Sequence, residues 1–284
     1  MHNKFYTLIT GASEGLGKAL AIECAQRNMN LILVALPGPE LNALARFIKR
    51  NYCVEVVTIE KDLCEDEGCY EVFKQVNDQQ LRVNMLLNNA GLGSTQFFKE
   101  GSVALYERQI KLNVLATTVL TRLFLETLKL NSPSYILNVG SMASFFCMPK
   151  KLVYGATKSF ISFFSKTLAD DLKEENVYVS LLCPGGMNTN LALTLMNKTG
   201  NFIARLSIMN PEDVGRIAVR DLLRKKELII PGRLNQCFLV MEKILPSFLK
   251  KTLTRYSMKG MKAQNHLSMH LASAAAPGSA YQRA

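Results

Sequence analysis

The chain alternates between short apolar runs of strand length and longer segments in which apolar residues recur at helical spacing. The run at residues 31–36 is apolar without interruption, which is typical of a parallel strand covered on both faces. Strands are predicted at residues 5–10, 31–36, 54–59, 83–88, 134–139, 177–182 and 228–231. In chain order, helices are predicted up to residue 27, at 40–50, at 65–80, up to residue 130, around residues 154–158, and at 211–225. Strands that alternate with helices form right-handed crossovers, so we predict an α/β protein with a doubly wound parallel sheet of about seven strands.

The composition is that of a globular protein, with 48% hydrophobic and 20% charged residues among 284. No internal repeat or linker divides the alternating pattern, so we predict a single domain over residues 1–235. The net charge of +11 is unevenly distributed along the chain. From Arg224 onwards there are eleven Lys and Arg but only two Glu, so this segment carries +9 and the preceding residues carry +2. We predict a basic amphipathic extension at residues 236–263, which either contacts an anionic membrane, packs on the body or forms a dimer contact. Residues 264–284 are predicted to be a disordered tail.

Cysteine and histidine usage disfavours several other classes of protein. The seven Cys residues are odd in number and lie mostly in apolar runs, which favours buried thiols in a reducing compartment. No apolar run approaches the roughly 18 residues of a membrane span, so we predict a cytoplasmic protein, at most peripheral to a membrane. The Cys64/Cys69 and His266/His270 pairs lack further ligands, so no metal site is predicted. The basic segment lacks interleaved aromatic residues and any recognisable module, so no nucleic-acid partner is predicted.

A glycine-rich turn directly follows the first predicted strand. Gly11, Gly15 and Gly17 have the spacing G-x-x-x-G-x-G and lead into a helical pattern. In this context the backbone can approach a pyrophosphate, which binds at the positive N-terminus of the helix. A glycine turn without a ligand remains the alternative, because the spacing differs from the more common G-x-G-x-x-G.

Tyr154 and Lys158 are four residues apart in a predicted helix and therefore share one face, one turn apart. A nearby cation lowers the pKa of a phenol from about 10 towards neutral pH, which suits a tyrosine that transfers a proton. Ser141 lies thirteen residues before the tyrosine. Taken alone, Y-x-x-x-K is common, and a chance pairing on a helix face is the alternative.

Motifs along most of the chain resemble those of one family, the short-chain dehydrogenase/reductases. They are Thr10-Gly11-x-x-x-Gly15-x-Gly17, Asp62-Leu63, Asn88-Asn89-Ala90-Gly91, Asn113, Ser141, Tyr154-x-x-x-Lys158, and Pro184-Gly185 with Thr189. The resemblance covers residues 5 to about 232 and implies a Rossmann-type three-layer sandwich that transfers a hydride to or from NAD(P). The basic extension adds a looser resemblance to the branch that contains steroid dehydrogenases and long-chain 3-oxoacyl reductases.

The resemblance implies a catalytic role for four residues. Ser141 would hydrogen-bond the substrate oxygen, and Tyr154 would give or take its proton. Lys158 would bind the nicotinamide ribose and lower the Tyr154 pKa. Asn113 would hold a water in a proton relay to Lys158. The cofactor contacts implied in the same way are Gly11, Ser13, Gly15, Leu16, Asp62, Leu63, Asn89, Ala90, Gly91, Tyr154, Lys158, Pro184, Gly185 and Thr189.

The end of the second predicted strand bears on the choice of cofactor. Residues 34–37 read V-A-L-P and include no carboxylate, so nothing there repels a 2′-phosphate or accepts ribose hydroxyls. NADP(H) is therefore favoured over NAD(H), and Ser13 is a candidate donor to the phosphate.

Apolar residues after Ser141 indicate the class of substrate. Phe145, Phe146, Met148 and the apolar residues of 190–209 are expected to line the pocket, although packing in the core is the alternative for most of them. Because no His or Arg lies near these positions, we predict an apolar ketone or secondary alcohol, such as a fatty acyl or steroid-like compound of lipid metabolism. A regulatory protein that binds the dinucleotide without turnover is the alternative. The resemblance also implies a homodimer or homotetramer.

Overall fold

A seven-stranded parallel sheet forms the centre of the protein, in the strand order β3-β2-β1-β4-β5-β6-β7. The computed structural model describes residues 5–148, 150–187 and 208–244. Its strands are β1 (Tyr6–Thr10), β2 (Asn30–Ala35), β3 (Val56–Glu60), β4 (Val83–Asn88), β5 (Ser134–Val139), β6 (Val177–Leu182) and β7 (Leu228–Ile229). The predicted doubly wound sheet is thus confirmed.

Helices cover both faces of this sheet. They are α1 (Gly15–Gln26), α2 (Pro39–Asn51), α3 (Gly68–Asp78), α4 (Val103–Ile110), α5 (Thr117–Leu130), α6 (Leu152–Asp171), α7 (Pro211–Leu223) and α8 (Arg233–Ile244). Successive strand residues point to opposite faces, so Ile9 packs in a core with α1, α2 and α7, while Leu8 packs in a second core with α3 and α5. The predicted three-layer arrangement follows from this division of the core.

A chain of buried polar side chains crosses from the sheet to the helices above it. The Asn88 amide on β4 donates to Thr121 Oγ1 on α5 at 3.0 Å and to Asn138 Oδ1 on β5 at 2.8 Å. The Asn138 amide in turn donates to Ser165 Oγ on α6 at 3.0 Å. Hydrogen bonds between buried groups depend on direction, so this polar chain fixes α5 and α6 against the two central strands.

Helix α8 runs through residue 235, where the domain boundary was predicted. Asn235 is buried and its amide donates to the Pro231 carbonyl at 2.8 Å. Leu239 is also buried and packs with Ile230, so the first half of this helix belongs to the body of the protein. Ile244, at the end of the helix, is 75% exposed. The remainder of the predicted extension and the predicted tail at 264–284 lie outside the described residues.

Candidate active site

A cavity of about 890 Å³ opens at the carboxyl ends of the strands, where the strand order reverses between β1 and β4. Ligands of open α/β sheets bind at such a switch point. One part of the cavity wall consists of residues that follow β1, β2 and β3, including the glycine turn. Another part consists of Ser141, Tyr154 and Lys158. The candidate residues from distant parts of the sequence therefore share one cavity.

The glycine turn has a backbone that other residues cannot adopt without strain. Gly11 and Gly15 have φ values of +62° and +52°, in the left-handed region that favours glycine. At Gly17 the restriction is steric, because a Cβ atom would lie 1.9 Å from the Gly11 carbonyl oxygen. These glycines bring the start of α1 close to the end of β4.

Thr10 and Asn89 hold this turn in place. The Thr10 hydroxyl accepts hydrogen bonds from the backbone amides of Asn89 and Ala90, both at 3.0 Å. The Asn89 side chain donates back to the carbonyls of Thr10 and Gly11 at 2.9 and 3.1 Å. The sequence assigns Asn89 to cofactor binding and places Thr10 in the glycine motif without giving it a role, because a hydroxyl at the end of a strand does not reveal its partners.

The start of α1 suits the phosphates of a dinucleotide. The residue that precedes the helix, Glu14, makes no capping hydrogen bond with its side chain, and the first turn carries no acidic residue. The first backbone amides of a helix point along its axis and attract an anion. Ser13, Gly15 and Leu16 line the cavity at this point. The donors and the shape present here therefore fit the cofactor that the sequence predicts.

Asp62 and Leu63 lie beyond the glycine turn and also line the cavity. The Asp62 carboxylate is already engaged, because Oδ1 accepts from the Cys64 amide and Oδ2 accepts from the Arg108 guanidinium, each at 2.9 Å. Its electrostatic effect on a ligand is therefore partly balanced by Arg108, which also lines the cavity.

Asn113 lies in a π-helical turn, Lys111–Ala116, that interrupts the predicted long helix between α4 and α5. Its side chain is buried and accepts from the Leu92 amide at 2.7 Å. The same side chain donates to the Leu92 carbonyl and to Thr157 Oγ1, both at 3.0 Å. Asn113 thus joins the loop after β4 to helix α6, and π-helical turns are common at functional sites. A Cβ atom at Gly91 would lie 3.3 Å from both Asn113 Oδ1 and Lys158 Nζ, so the two side chains converge at this glycine.

Ser141 and Tyr154 lie close together on the cavity wall. Ser141 follows β5 and caps a short helix, Met142–Ser144, by accepting a hydrogen bond from the Ala143 amide at 3.1 Å. The Ser141 side chain lies close enough to the Tyr154 hydroxyl to lower the Tyr154 pKa. The two hydroxyls therefore form a pair at which a carbonyl or alcohol oxygen can bind.

Lys158 is buried one turn after Tyr154 and donates from Nζ to the Val139 carbonyl at 2.7 Å. Burial lowers the pKa of Lys158 from 10.5 to about 8. A buried cation is poorly solvated, so this ammonium loses its proton more readily than a surface lysine does.

The pKa of Tyr154 differs from the sequence expectation. Burial raises this pKa, and the nearby Ser141 side chain opposes the rise only in part. The expected lowering by Lys158 is not found, because the Lys158 ammonium points to the Val139 carbonyl and lies 6.0 Å from the centre of the Tyr154 ring. Tyr154 is therefore a neutral phenol, suited to donate a proton.

Lys151 is a cavity residue that sequence reasoning missed. Its Nζ lies 5.2 Å from the centre of the Tyr154 ring, closer than Lys158, and donates to Thr95 Oγ1 at 3.2 Å. Burial lowers the pKa of Lys151. The sequence signal was available, since Lys151 lies three residues before Tyr154 and hence on the same face of the helix.

The remaining predicted residues divide into three groups. Ala90, Gly91, Pro184 and Gly185 line the cavity, as do Phe146 and Met148. Phe145 instead packs beside Met142, and its ring lies under Lys166 at 5.7 Å. Thr189 and most apolar residues of 190–209 lie outside the described residues. Within the described part of the chain, no group of three His, Cys, Asp or Glu side chains could hold a metal ion. None of the described helices has the length and apolar character to cross a membrane.

Known proteins resemble this chain in sequence. A family model described as short chain dehydrogenase matches residues 6–199. The very-long-chain 3-oxoacyl-CoA reductase of Mus musculus is 31% identical over 191 residues, which cover 66% of this chain and 61% of that protein. The 17-beta-hydroxysteroid dehydrogenase type 3 of Homo sapiens is 31% identical over 186 residues, which cover 65% of this chain and 59% of that protein. The match thus spans about three fifths of each relative.

Solved structures share the fold. A 7beta-hydroxysteroid dehydrogenase superimposes with a TM-score of 0.78 at 24% identity and covers 89% of this chain and 96% of that one. A short-chain dehydrogenase from Sphingobium yanoikuyae in complex with NADPH superimposes with a TM-score of 0.72, also at 24% identity, and covers 98% of both chains. At these identities the likeness establishes the fold alone.

Proposed function

The chain belongs to the short-chain dehydrogenase/reductase family, and from this premise we propose that it interconverts an apolar ketone and its secondary alcohol with NADP(H). One observation carries the proposal: Ser141, Tyr154 and Lys158 share a single cavity with the glycine turn. The nicotinamide cofactor, when bound, supplies or accepts the hydride.

The chain's own residues provide orientation and the proton. Ser141 and Tyr154 bind the ketone oxygen, on which negative charge develops during reduction. Tyr154 donates its proton to that oxygen, and Lys158, whose pKa is about 8, lies nearby to exchange protons near neutral pH. Asn113 positions the loop around Gly91 against α6, and its part in a proton relay belongs to the proposal.

Replacing the proton donor tests this function. Tyr154→Phe should bind NADPH nearly as tightly as the wild type, yet lose at least about 100-fold in ketone reduction, because the acid is gone. Tyr178→Phe is the control, since the Tyr178 hydroxyl bonds to Asn176 on the exposed surface. A Tyr154→Phe variant with wild-type turnover would refute the mechanism. Wild-type protein that binds NADPH but reduces no ketone in a broad panel would favour the regulatory alternative.

The preference for NADP(H) over NAD(H) is supported by the end of β2. Leu36 lines the cavity there and is half exposed. The first charged cavity residue after it in the sequence is Lys61, which forms ion pairs with Glu65 and Glu71 at 2.7 Å each. Leu36→Asp should shift binding from NADPH towards NADH, because its carboxylate repels a 2′-phosphate and accepts ribose hydroxyls. Leu36→Asn is the uncharged control. Titrations in which the wild type prefers NADH would contradict the proposal.

An apolar substrate is supported by Phe146 and Met148 on the cavity wall and by the substrates that the names of the relatives contain, 3-oxoacyl-CoA and hydroxysteroids. We propose a role in lipid metabolism on this basis. A screen of NADPH and NADH oxidation against 3-oxoacyl thioesters, steroids and aliphatic ketones tests it. Reduction of only small hydrophilic ketones would contradict it.

Self-association into a dimer or tetramer is supported by apolar side chains exposed on α4, the π turn and α6. These include Ile110, Leu115, Phe160 and Phe163, the last of which is 75% exposed. Phe163→Lys should reduce the mass measured by light scattering at a given concentration. Equal masses for both proteins would argue against this face.

A cytoplasmic location is supported by the seven cysteines, none of which forms a disulfide. Peripheral contact with an anionic membrane through residues 238–262 is the last part of the proposal. Flotation with anionic liposomes tests it, and equal recovery of the full chain and a chain that ends at Asn235 would refute it.

A further inference from the structure

Lys151 places a positive charge beside the reacting position of the cavity. Its Nζ lies 5.2 Å from the centre of the Tyr154 ring, and Lys151 directly precedes α6, three residues before Tyr154. The Lys151 ammonium donates a hydrogen bond to the hydroxyl oxygen of Thr95. This arrangement leaves the Thr95 hydroxyl hydrogen to donate to a further oxygen.

No carboxylate of the described part of the chain forms an ion pair with Lys151. The segments outside the described residues, 1–4, 188–207 and 245–284, contain no Asp or Glu and so offer no further acidic side chain. Glu242 is the one acidic residue whose side chain is not described.

The acidic residues that line the cavity lie on a different part of its wall from Lys151. Glu14 belongs to the glycine turn after β1, and Asp62 follows β3 and is paired with Arg108. Lys151 is therefore a partly desolvated cation that lacks a counter-charge beside Tyr154.

Such a cation costs free energy that an incoming anion offsets. The ammonium, together with the Thr95 hydroxyl, matches the two oxygens of a carboxylate. Phe146 and Met148 provide an apolar wall for the rest of the molecule.

We propose that Lys151 binds a carboxylate of the substrate, so that the preferred substrate is an oxo acid whose carboxylate lies a few bonds from the ketone. This inference rests on the proposed reductase function and narrows its substrate class. The sequence-based prediction of an apolar substrate considered only His and Arg near the pocket and left this lysine out.

The experiment compares a medium-chain 4-oxo acid with its methyl ester, which has the same chain but no charge, by following NADPH oxidation. Wild-type kcat/KM should favour the acid by at least about tenfold, the effect of one charged hydrogen bond. Lys151→Met should reduce this ratio to about one, and Lys151→Arg should restore most of it, because both cations pair with a carboxylate.

Lys150→Met is the matched control. Lys150 is adjacent in sequence, but its Nζ lies over the Phe97 ring at 5.0 Å and not on the cavity wall. This variant should keep the wild-type ratio.

The outcomes separate the two proposals. Equal kcat/KM for acid and ester in the wild type, or an unchanged ratio in Lys151→Met, overturns the role of Lys151 while the reductase activity stands. Failure to reduce the acid, the ester and a long-chain aliphatic ketone alike overturns the proposed function and this inference with it.

Discussion

Replacing the buried Lys158 by Met should change how the stability of the protein depends on pH. In the folded protein the pKa of Lys158 is about 8, below its usual 10.5, because the ammonium is buried. The unfolded chain therefore holds this proton more tightly than the folded one. The resulting destabilisation is complete below pH 8 and is relieved as the pH rises towards 10.5, because both states then lose the proton.

The size of the effect follows from these two values. The difference between 10.5 and about 8 corresponds to about 3 kcal/mol of destabilisation at neutral pH. Between pH 7 and pH 10 the linkage relation removes about 2–3 kcal/mol of this destabilisation. Methionine carries no proton, so the variant lacks this contribution and also leaves the Val139 carbonyl without its donor. That second loss is independent of pH and shifts the curve of the variant without changing its slope.

Urea unfolding at pH 7, 8, 9 and 10 measures the effect. The free energy of unfolding of the wild type, minus that of Lys158→Met, should increase by about 2–3 kcal/mol over this range. Lys74→Met removes an exposed lysine on α3 and should give a constant difference. A constant difference for Lys158→Met as well would refute the conclusion that burial lowers the pKa of this ammonium.

Three further substitutions test how the site is held together. Thr10→Val removes the acceptor of two backbone amides and should lower the free energy of unfolding by about 1–3 kcal/mol, whereas Thr10→Ser, which keeps the hydroxyl, should not. Gly17→Ala places a Cβ atom 1.9 Å from the Gly11 oxygen and should weaken NADPH binding, measured by titration, at least about tenfold. A Cβ atom at Gly155 has its nearest neighbour at 3.4 Å, so Gly155→Ala should not destabilise the fold. Asn113→Ala removes three hydrogen bonds and should lower the denaturation midpoint, at a cost of about 1–3 kcal/mol, together with kcat.

The strands could be predicted from sequence because of where they lie in the sheet. Val83–Asn88, Ser134–Val139 and Val177–Leu182 match their predicted bounds residue for residue. All three lie inside the sheet, and apolar residues make up most of each run. The outermost strands, Val56–Glu60 and Leu228–Ile229, differ from the predicted 54–59 and 228–231, since an edge strand has a neighbour on one side only.

The site was predictable where a motif carries it and unpredictable where tertiary contacts decide. The glycine turn and the Tyr154 to Lys158 spacing are local features of the sequence. The π turn at Asn113 depends on partners 21 and 44 residues away, which no local pattern reveals. The same holds for the Tyr154 pKa, because the sequence spacing predicted a cation nearby but showed neither the burial that raises this pKa nor the direction of the Lys158 ammonium towards Val139.

The buried polar chain from Asn88 through Asn138 to Ser165 separates two kinds of evolutionary change in this protein. These directional hydrogen bonds fix the position of α6, the helix that carries Tyr154. The position of Tyr154 therefore does not depend on the shape of the substrate pocket. Residues of the pocket wall, such as Met148, can therefore drift and select new ketones while the proton donor keeps its position. Libraries that aim at altered substrate choice should vary the wall and leave the polar anchors unchanged.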